Sequence, residues 1–206
     1  MDSLIGQLPD GWQVRTVKAC CQVISGPSGT TLSRSAHVSN GIPVLNATDI
    51  GPHGIIRPEF TVSEATAQRL ARYELARADV VFVRVGLTTR HATVADDQAG
   101  WLLGGSCVRI RVVQGLLPGY LPCYLSHPAV REWVADHTRP GVKPSVNNAI
   151  IGALPLVIPP VAVQQDILEV ASAIDTKIRA HEDVIRGARE LRELLLPRLI
   201  AGESAD

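Results

Sequence analysis

Short apolar runs punctuated by turn residues fill the chain up to residue 158, and one long 4-3 pattern of apolar positions fills most of the remainder. The first part predicts a mixture of strands and short helices. Val14 to Ile24 reads as one or two short ordered elements that stop at Ser25-Gly26, with Cys20 and Cys21 adjacent in a strand and pointing to opposite faces. Residues 26 to 41 form a polar Gly/Ser/Thr loop, 42 to 50 a strand with a polar exit, and 51 to 60 a turn and a short extended piece. Ser63 is placed as the N-cap of a helix. Residues 78 to 86 predict a strand buried on both faces, and 87 to 97 a polar segment leading into another. Residues 101 to 113 read as one strand with Arg109 and Arg111 alternating outward. Residues 117 to 137 read as a helical hairpin, or a helix broken at Pro128. The expected fold class is α+β, a mixed sheet with flanking helices.

The stretch GVKPSVNNAIIGALPLVIPP, 141 to 160, begins as a polar loop, turns apolar at Ala149 and stops at Pro159-Pro160. Behind it, Ile167, Ala171, Ile174, Ile178, His181, Ile185, Ala188, Arg192, Leu195 and Leu199 recur at 4-3 spacing, the seam of a coiled coil with two polar interruptions. A single helix cannot bury such a stripe alone. The double proline favours a rod that leaves the globule and pairs with another helix. Gly187 weakens the rod, and Pro197 is expected to end or kink it. The expected division is 1–158 for the globular domain and 159–206 for the helix.

Charge changes this picture slightly. The net charge is zero, yet residues 1 to 160 carry 14 Lys/Arg against 11 Asp/Glu, and residues 161 to 206 carry 6 against 9. Arginine supplies 17 of the 20 cations, and its planar fork suits phosphates and guanine edges. No apolar run reaches membrane-spanning length and no signal peptide is apparent, which predicts a cytoplasmic protein. Cys20, Cys21, Cys107 and Cys123 form no C-x-x-C pair, so free thiols are expected, with no metal site.

Seven short motifs then fall in order along the chain. They are Leu8-Pro9-Asp10-Gly11-Trp12; Ile24-Ser25-Gly26; Gly41-Ile42-Pro43 with Thr48-Asp49-Ile50; Asp79 to Arg84 with Gly86; Pro144 to Asn148; Leu154-Pro155 with Ile158-Pro159-Pro160 and Gln164; and Leu195-Leu196-Pro197-Arg198-Leu199-Ile200-Ala201-Gly202-Glu203. The ordered set resembles the specificity subunit of type I restriction-modification systems. Val163 stands where that family usually has Glu, and Val44 where an aromatic is common. Family members usually carry two target-recognition domains and two helices, so this chain resembles a half-length form, and its tail resembles a natural end.

The resemblance implies a target-recognition domain at 1–158 and a spacer helix at 159–206. It implies double-stranded DNA as ligand, an adenine-specific methyltransferase subunit as partner and, in some systems, a restriction subunit. S-adenosylmethionine and ATP with Mg belong to those partners. Two copies, or this chain and another half-subunit, would pair their helices antiparallel and read a split site. The exposed loops offer Arg84, Thr88, Thr89, Arg90 and His91 first as DNA contacts, then Lys143, Ser145, Asn147 and Asn148, then Asn46 and Thr48. Asn147 is also read as a helix cap, Asp49 as a structural acceptor, and Arg34 and His37 as weaker contacts. No metalloprotease, P-loop, nucleophile-elbow, nuclease or methyltransferase motif is present, so catalysis is not expected on this chain. The alternative readings are a stand-alone dimeric DNA-binding regulator and a protein-protein scaffold.

Overall fold

The structure is a computed structural model that describes residues 2–27, 31–32, 34–51, 54–139, 141 and 144–202. It contains two compact units, Met1–Gln164 and Gln165–Asp206.

The first unit opens with a small hairpin, β1 (Asp2–Ser3) and β2 (Gly6–Gln7). After Gly11, whose φ of +84° makes a left-handed turn, come β3 (Gln13–Thr16), α1 (Val17–Cys20) and β4 (Cys21–Ser25). Cys20 therefore ends a helical turn and Cys21 begins a strand, which corrects the expectation that both share one strand. Next are β5 (His37–Leu45), the hairpin β6 (Ile50–Gly51) with β7 (Gly54–Ile55), and β8 (Thr61–Val62). β5 starts inside the stretch expected to be loop. His37 and Ile42 both pair with Val62 across a register shift, so a non-local partner orders the polar residues 37–41.

Ser63 caps α2 (Glu64–Arg69) by accepting the Thr66 N–H, as its sequence position predicts. β9 (Val80–Val83) is buried at all four residues, matching the expectation of a two-sided strand. It is followed by β10 (His91–Thr93), β11 (Leu102–Leu103) and β12 (Cys107–Val112). The single strand expected over 101–113 is thus two, and they belong to different sheets. The Gly104-Gly105-Ser106 turn separates them. The chain then forms α3 (Tyr120–Leu125) and α4 (Pro128–His137), the pair expected around Pro128. α5 (Asn148–Ala153) and β13 (Pro155–Ile158) complete the unit.

The larger sheet runs in the order β10-β9-β12-β4, entirely antiparallel, and a second runs β11-β5-β8. Leu45, Ile50, Leu75, Val81, Val83, Leu103 and Cys107 form a core cluster that joins residues of both. β13 pairs antiparallel with β3, Ile158 opposite Gln13, so the end of the unit is stitched to its beginning. Tyr120 and Tyr124 donate their hydroxyls to the carbonyls of Val157 and Pro155, fixing α3 on β13. The architecture is α+β, with a mixed set of sheets and flanking helices.

Arg109 corrects another expectation. It is buried, 3 % exposed, rather than directed to solvent. Its Nη1 donates to the Glu74 carbonyl at 2.6 Å and its Nη2 to Gln22 Oε1 at 2.9 Å. Arg111 is only partly exposed and forms a bidentate pair with buried Asp79, both contacts at 2.7 Å. None of the four cysteines is in a disulfide, and burial pushes the thiols of Cys21 and Cys107 up to about 12, which leaves them unreactive.

The second unit is the body of α6 (Val161–Ile200), 40 residues, on the order of 60 Å long. Pro197 lies inside this helix and does not end it. Along the 4-3 seam Ile174, Ile178, Ile185 and Leu199 are each roughly half exposed. Among the described residues no helix is long and apolar enough to cross a membrane.

Candidate nucleic-acid interface

Four loop segments converge at one end of β9 and β12, and backbone hydrogen bonds hold them there. Arg84 donates its N–H to the Ser106 carbonyl, and its own carbonyl accepts the Val146 N–H, both at 2.9 Å. Val85 bridges to Ser145, and Ser145 bridges in turn to Arg139. Gly86 N–H donates to the Pro144 carbonyl at 2.9 Å. The stretches 84–90, 104–106, 138–139 and 144–148 are therefore one surface, although they are far apart in the chain.

Glycine makes the approach possible. A Cβ on Gly26 would run into the Gly104 carbonyl, and one on Gly105 into the Pro27 carbonyl. Ser25 extends the cluster by donating its hydroxyl to Asn148 Oδ1 at 2.6 Å. On the other side, Ser106 Oγ donates to Asn46 Oδ1 at 3.3 Å and accepts the Ala47 N–H at 2.9 Å. This draws the 46–49 turn into the same surface. That turn is a reciprocal cap in which Asp49 Oδ2 accepts the Asn46 N–H at 2.8 Å. Burial raises the Asp49 carboxyl above its ordinary value, against the lowering effect of the Asn46 N–H.

Each candidate contact has a definite place in this arrangement. Arg84 is half-buried, with Nη1 3.5 Å from the Gly105 carbonyl. Thr88 is buried and its hydroxyl lies 3.0 Å from Thr138 Oγ1, which itself donates to the Val134 carbonyl. Thr89 and Arg90 are half-buried, and Arg90 Nη1 donates to the Ile50 carbonyl at 3.0 Å. His91 lies in β10, stacked on Phe82 with ring centroids 5.8 Å apart and Nε2 3.3 Å from the Pro122 carbonyl. Burial lowers its pKa. Asn147 Oδ1 accepts the Ile150 N–H at 2.9 Å and so caps α5, the alternative its sequence context offered. Ser145 is half-buried, Asn148 and Thr48 are exposed, and Asn46 is half-buried. Lys143 lies outside the described residues.

A cleft of ≈ 670 Å³ opens beside the 46–49 turn, lined by His37, Asn46, Thr48, Asp49, Ile56, Arg57, Glu59 and Phe60. His37 stacks on Phe60 there. Sequence reading missed three contributors to this surface. Ser106 joins its two halves, Arg139 stands exposed beside Ser145, and Arg57 lines the cleft. Gly104-Gly105-Ser106 between two apolar runs was the available signal for the first; nothing local marks the other two. Among the described residues Arg57, Arg84, Arg90 and Arg139 have no carboxylate partner.

Three solved structures share the fold of this chain. One is of a type I R-M system, described for its complex assembly and conformational transition; it aligns over 97 % of this chain with a TM-score of 0.67 at 17 % identity. The HsdS subunit from Thermoanaerobacter tengcongensis aligns over 97 % with a TM-score of 0.65 at 16 % identity. The type I restriction-modification S subunit from M. genitalium aligns over 96 % with a TM-score of 0.66 at 14 % identity. The fold is that of type I S subunits. The chain spans about half the length of these proteins, covering 48 %, 47 % and 48 % of them respectively. No family model matches the sequence, and no curated protein does.

Proposed function

We propose that this chain is the DNA sequence-recognition subunit of a type I restriction-modification complex, without catalysis of its own, and that it reads one half of a split site. One observation carries this reading: a single α+β unit and a single 40-residue helix together match S subunits over almost the whole of this chain and about half of theirs. Methyl transfer and DNA cleavage then reside on an adenine-specific methyltransferase subunit and, where present, a restriction subunit. S-adenosylmethionine and ATP with Mg are bound by those partners.

Within the loop surface, Arg84, Thr89, Arg90, Arg139, Ser145 and Thr48 are the side chains proposed to meet DNA; Lys143, outside the described residues, stays a candidate from the sequence alone. Arg57 joins them from the cleft. Thr88, His91, Asn46 and Asn147 act through positioning, because their polar atoms are already bonded within the protein. Guanidinium forks and hydroxyls at this density suit base edges and phosphates together.

The seam of α6 is proposed to pair with a second copy, antiparallel. A twofold axis at Asp183 sets Ile167 against the partner's Leu199, Ala171 against the partner's Leu195, and His181 against the partner's Ile185. All ten seam positions find a counterpart in this register, and Asp175 and the partner's Arg189, each directly after a seam position, lie on the same flank two residues out of level. Two related half-sites at a fixed spacing follow from the symmetry.

The deciding experiment maps N6-methyladenine across the source genome with and without the gene. A split motif that loses methylation on deletion supports the reading, and its palindromic symmetry supports self-pairing. An asymmetric motif points to a second, different half-subunit. An unchanged methylome, with no methyltransferase co-purifying, sinks the reading in favour of a stand-alone DNA-binding regulator.

A further inference from the structure

β12 carries an unbalanced charge on its inner face. Arg109 and Arg111 alternate onto the same side of the strand. Arg111 consumes the available buried carboxylate. Its Nε and Nη2 bind both oxygens of Asp79, and Ala76 N–H also donates to Asp79 Oδ2 at 2.8 Å. Arg109, 3 % exposed, finds only neutral acceptors: the carbonyls of Glu74 and Arg72 and the amide oxygen of Gln22. Its Nε is buried and has no hydrogen-bond partner among the described residues. A guanidinium held this deeply, with the nearby Asp79 carboxylate already bonded to Arg111, is the kind of group that a native structure neutralises further or uses.

A cavity of ≈ 360 Å³ lies against this guanidinium, lined by Gln22, Arg72, Glu74, Arg109 and Arg111 among others. Arg72 is exposed at its mouth, with its guanidinium 4.8 Å over the Tyr73 ring. Because Gln22 Oε1 is taken by Arg109, its amide N–H groups remain as donors. Three guanidinium groups thus border one cavity, whereas the carboxylate not already bound to an arginine is that of exposed Glu74.

We propose that this cavity binds one phosphate of the DNA backbone, with Arg72 and the outer edge of Arg111 as the contacting groups and buried Arg109 as the fixed positive floor. The proposal rests on the DNA-reading role above. A phosphodiester is favoured over a protein carboxylate because Arg109 follows Ser106 of the loop surface by three residues of strand. That distance is about 10 Å, within the roughly 12 Å width of a major groove. A duplex seated on those loops brings its backbone past this point.

The test uses the full chain and two single variants, Arg72→Gln and Arg77→Gln. Arg77 is an exposed cation paired with Asp96 outside the cavity, so its variant controls for the loss of a surface charge. Binding to a duplex is followed across KCl concentrations, and melting temperature is followed across inorganic phosphate against KCl of equal ionic strength. The expected result is a salt slope lowered by about 0.9 for Arg72→Gln and unchanged for Arg77→Gln. Phosphate stabilisation should also be present in the wild type and lost in Arg72→Gln. An equal slope change in both variants, or phosphate stabilisation that survives Arg72→Gln, overturns the proposal. Loss of phosphate stabilisation with an unchanged DNA slope overturns the DNA source and assigns the site to a partner's carboxylate. A wild type with no affinity for any duplex instead removes the DNA-reading role itself, and this proposal with it.

Discussion

Gln164 and Leu117 are joined by one part-buried hydrogen bond, the Leu117 N–H donating to Gln164 Oε1 at 2.8 Å. The same side chain donates from Nε2 to the Pro159 carbonyl at 2.9 Å and toward the Gly115 carbonyl at 3.4 Å. Gln164 is 1 % exposed, so no water replaces it. One amide therefore satisfies three backbone groups where the chain leaves β13 for α6. Gln164→Leu removes both halves of the amide and strands the Leu117 N–H. Stability should fall by about 1–3 kcal/mol in a urea titration, and exchange of the Leu117 amide hydrogen should accelerate. Unchanged exchange at Leu117 would show that the bond contributes nothing.

Gly26 and Gly187 make opposite predictions from the same substitution. An alanine at Gly26 meets the Gly104 carbonyl, whose backbone also holds the 46–49 turn. Gly26→Ala should cost about 1–3 kcal/mol and disturb amide resonances of 104–106. Gly187 sits within α6 with nothing within 4 Å of the added carbon. Gly187→Ala should stabilise the helix by up to about 1 kcal/mol, read from helical circular dichroism on heating.

His91 makes the fold sensitive to acid. Burial lowers its pKa from the ordinary 6.5, outweighing the hydrogen bonds to the Thr89 and Pro122 carbonyls that raise it. The unfolded imidazole therefore takes up its proton first as the pH falls through 6.5. Stability decreases from there until the pH passes the lower folded value, after which no more is lost. His91→Phe should flatten the difference in urea midpoint between pH 7.5 and 5.5, because a neutral ring keeps the stack on Phe82 without titrating. An identical pH dependence in the variant would place the acid sensitivity elsewhere.

Local patterns in the sequence were enough where the partner lies nearby. The apolar run at β9, the Ser63 cap, the break at Pro128 and the cap at Asn147 each follow from residues a few positions apart. What escaped was decided by distant partners. Residues 37–41 are mostly polar and exposed, and they become strand because Val62 pairs with His37 and Ile42 on either side of the register shift. Arg109 follows the alternation of an outward residue, yet it is drawn inward by acceptors 35 and 87 positions away. The candidate surface was legible as a set of loops, and residues 84–90 are one of the segments that converge there, while His91 lies in β10. Ser106 and Arg139 could be added only once the bridges of Arg84 to Ser106 and of Ser145 to Arg139 were known.

Arg139 separates electrostatic from structural roles on that surface. It is exposed, and its backbone alone makes the bridge to Ser145. Arg139→Gln should leave the melting temperature within about 1 °C while weakening DNA binding and lowering the salt slope by about one. Thr88→Val should do the reverse. It removes the buried bond to Thr138 and lowers stability, but changes the salt slope little. Equal slopes for Arg139→Gln and wild type would take Arg139 out of the interface.

Charge reversal on α6 tests both the pairing and its register. In the proposed antiparallel arrangement Asp175 and Arg189 share a flank of the apolar seam twice, once on each side of the twofold axis, two residues out of level. Asp175→Lys sets two like-charge pairs across the interface and should raise the dissociation constant of the dimer roughly tenfold at low salt. Arg189→Glu alone should do the same. The double variant restores both pairs with inverted signs and should return the dissociation constant close to that of the wild type, which a shared structural defect would not do. Sedimentation across a concentration series reads all four proteins. Additive losses in the double variant would mean that the helices pair in another register. A wild type that stays monomeric at every concentration would leave the exposed Ile174–Ile178–Ile185 stripe to a different half-subunit, and self-pairing would fall.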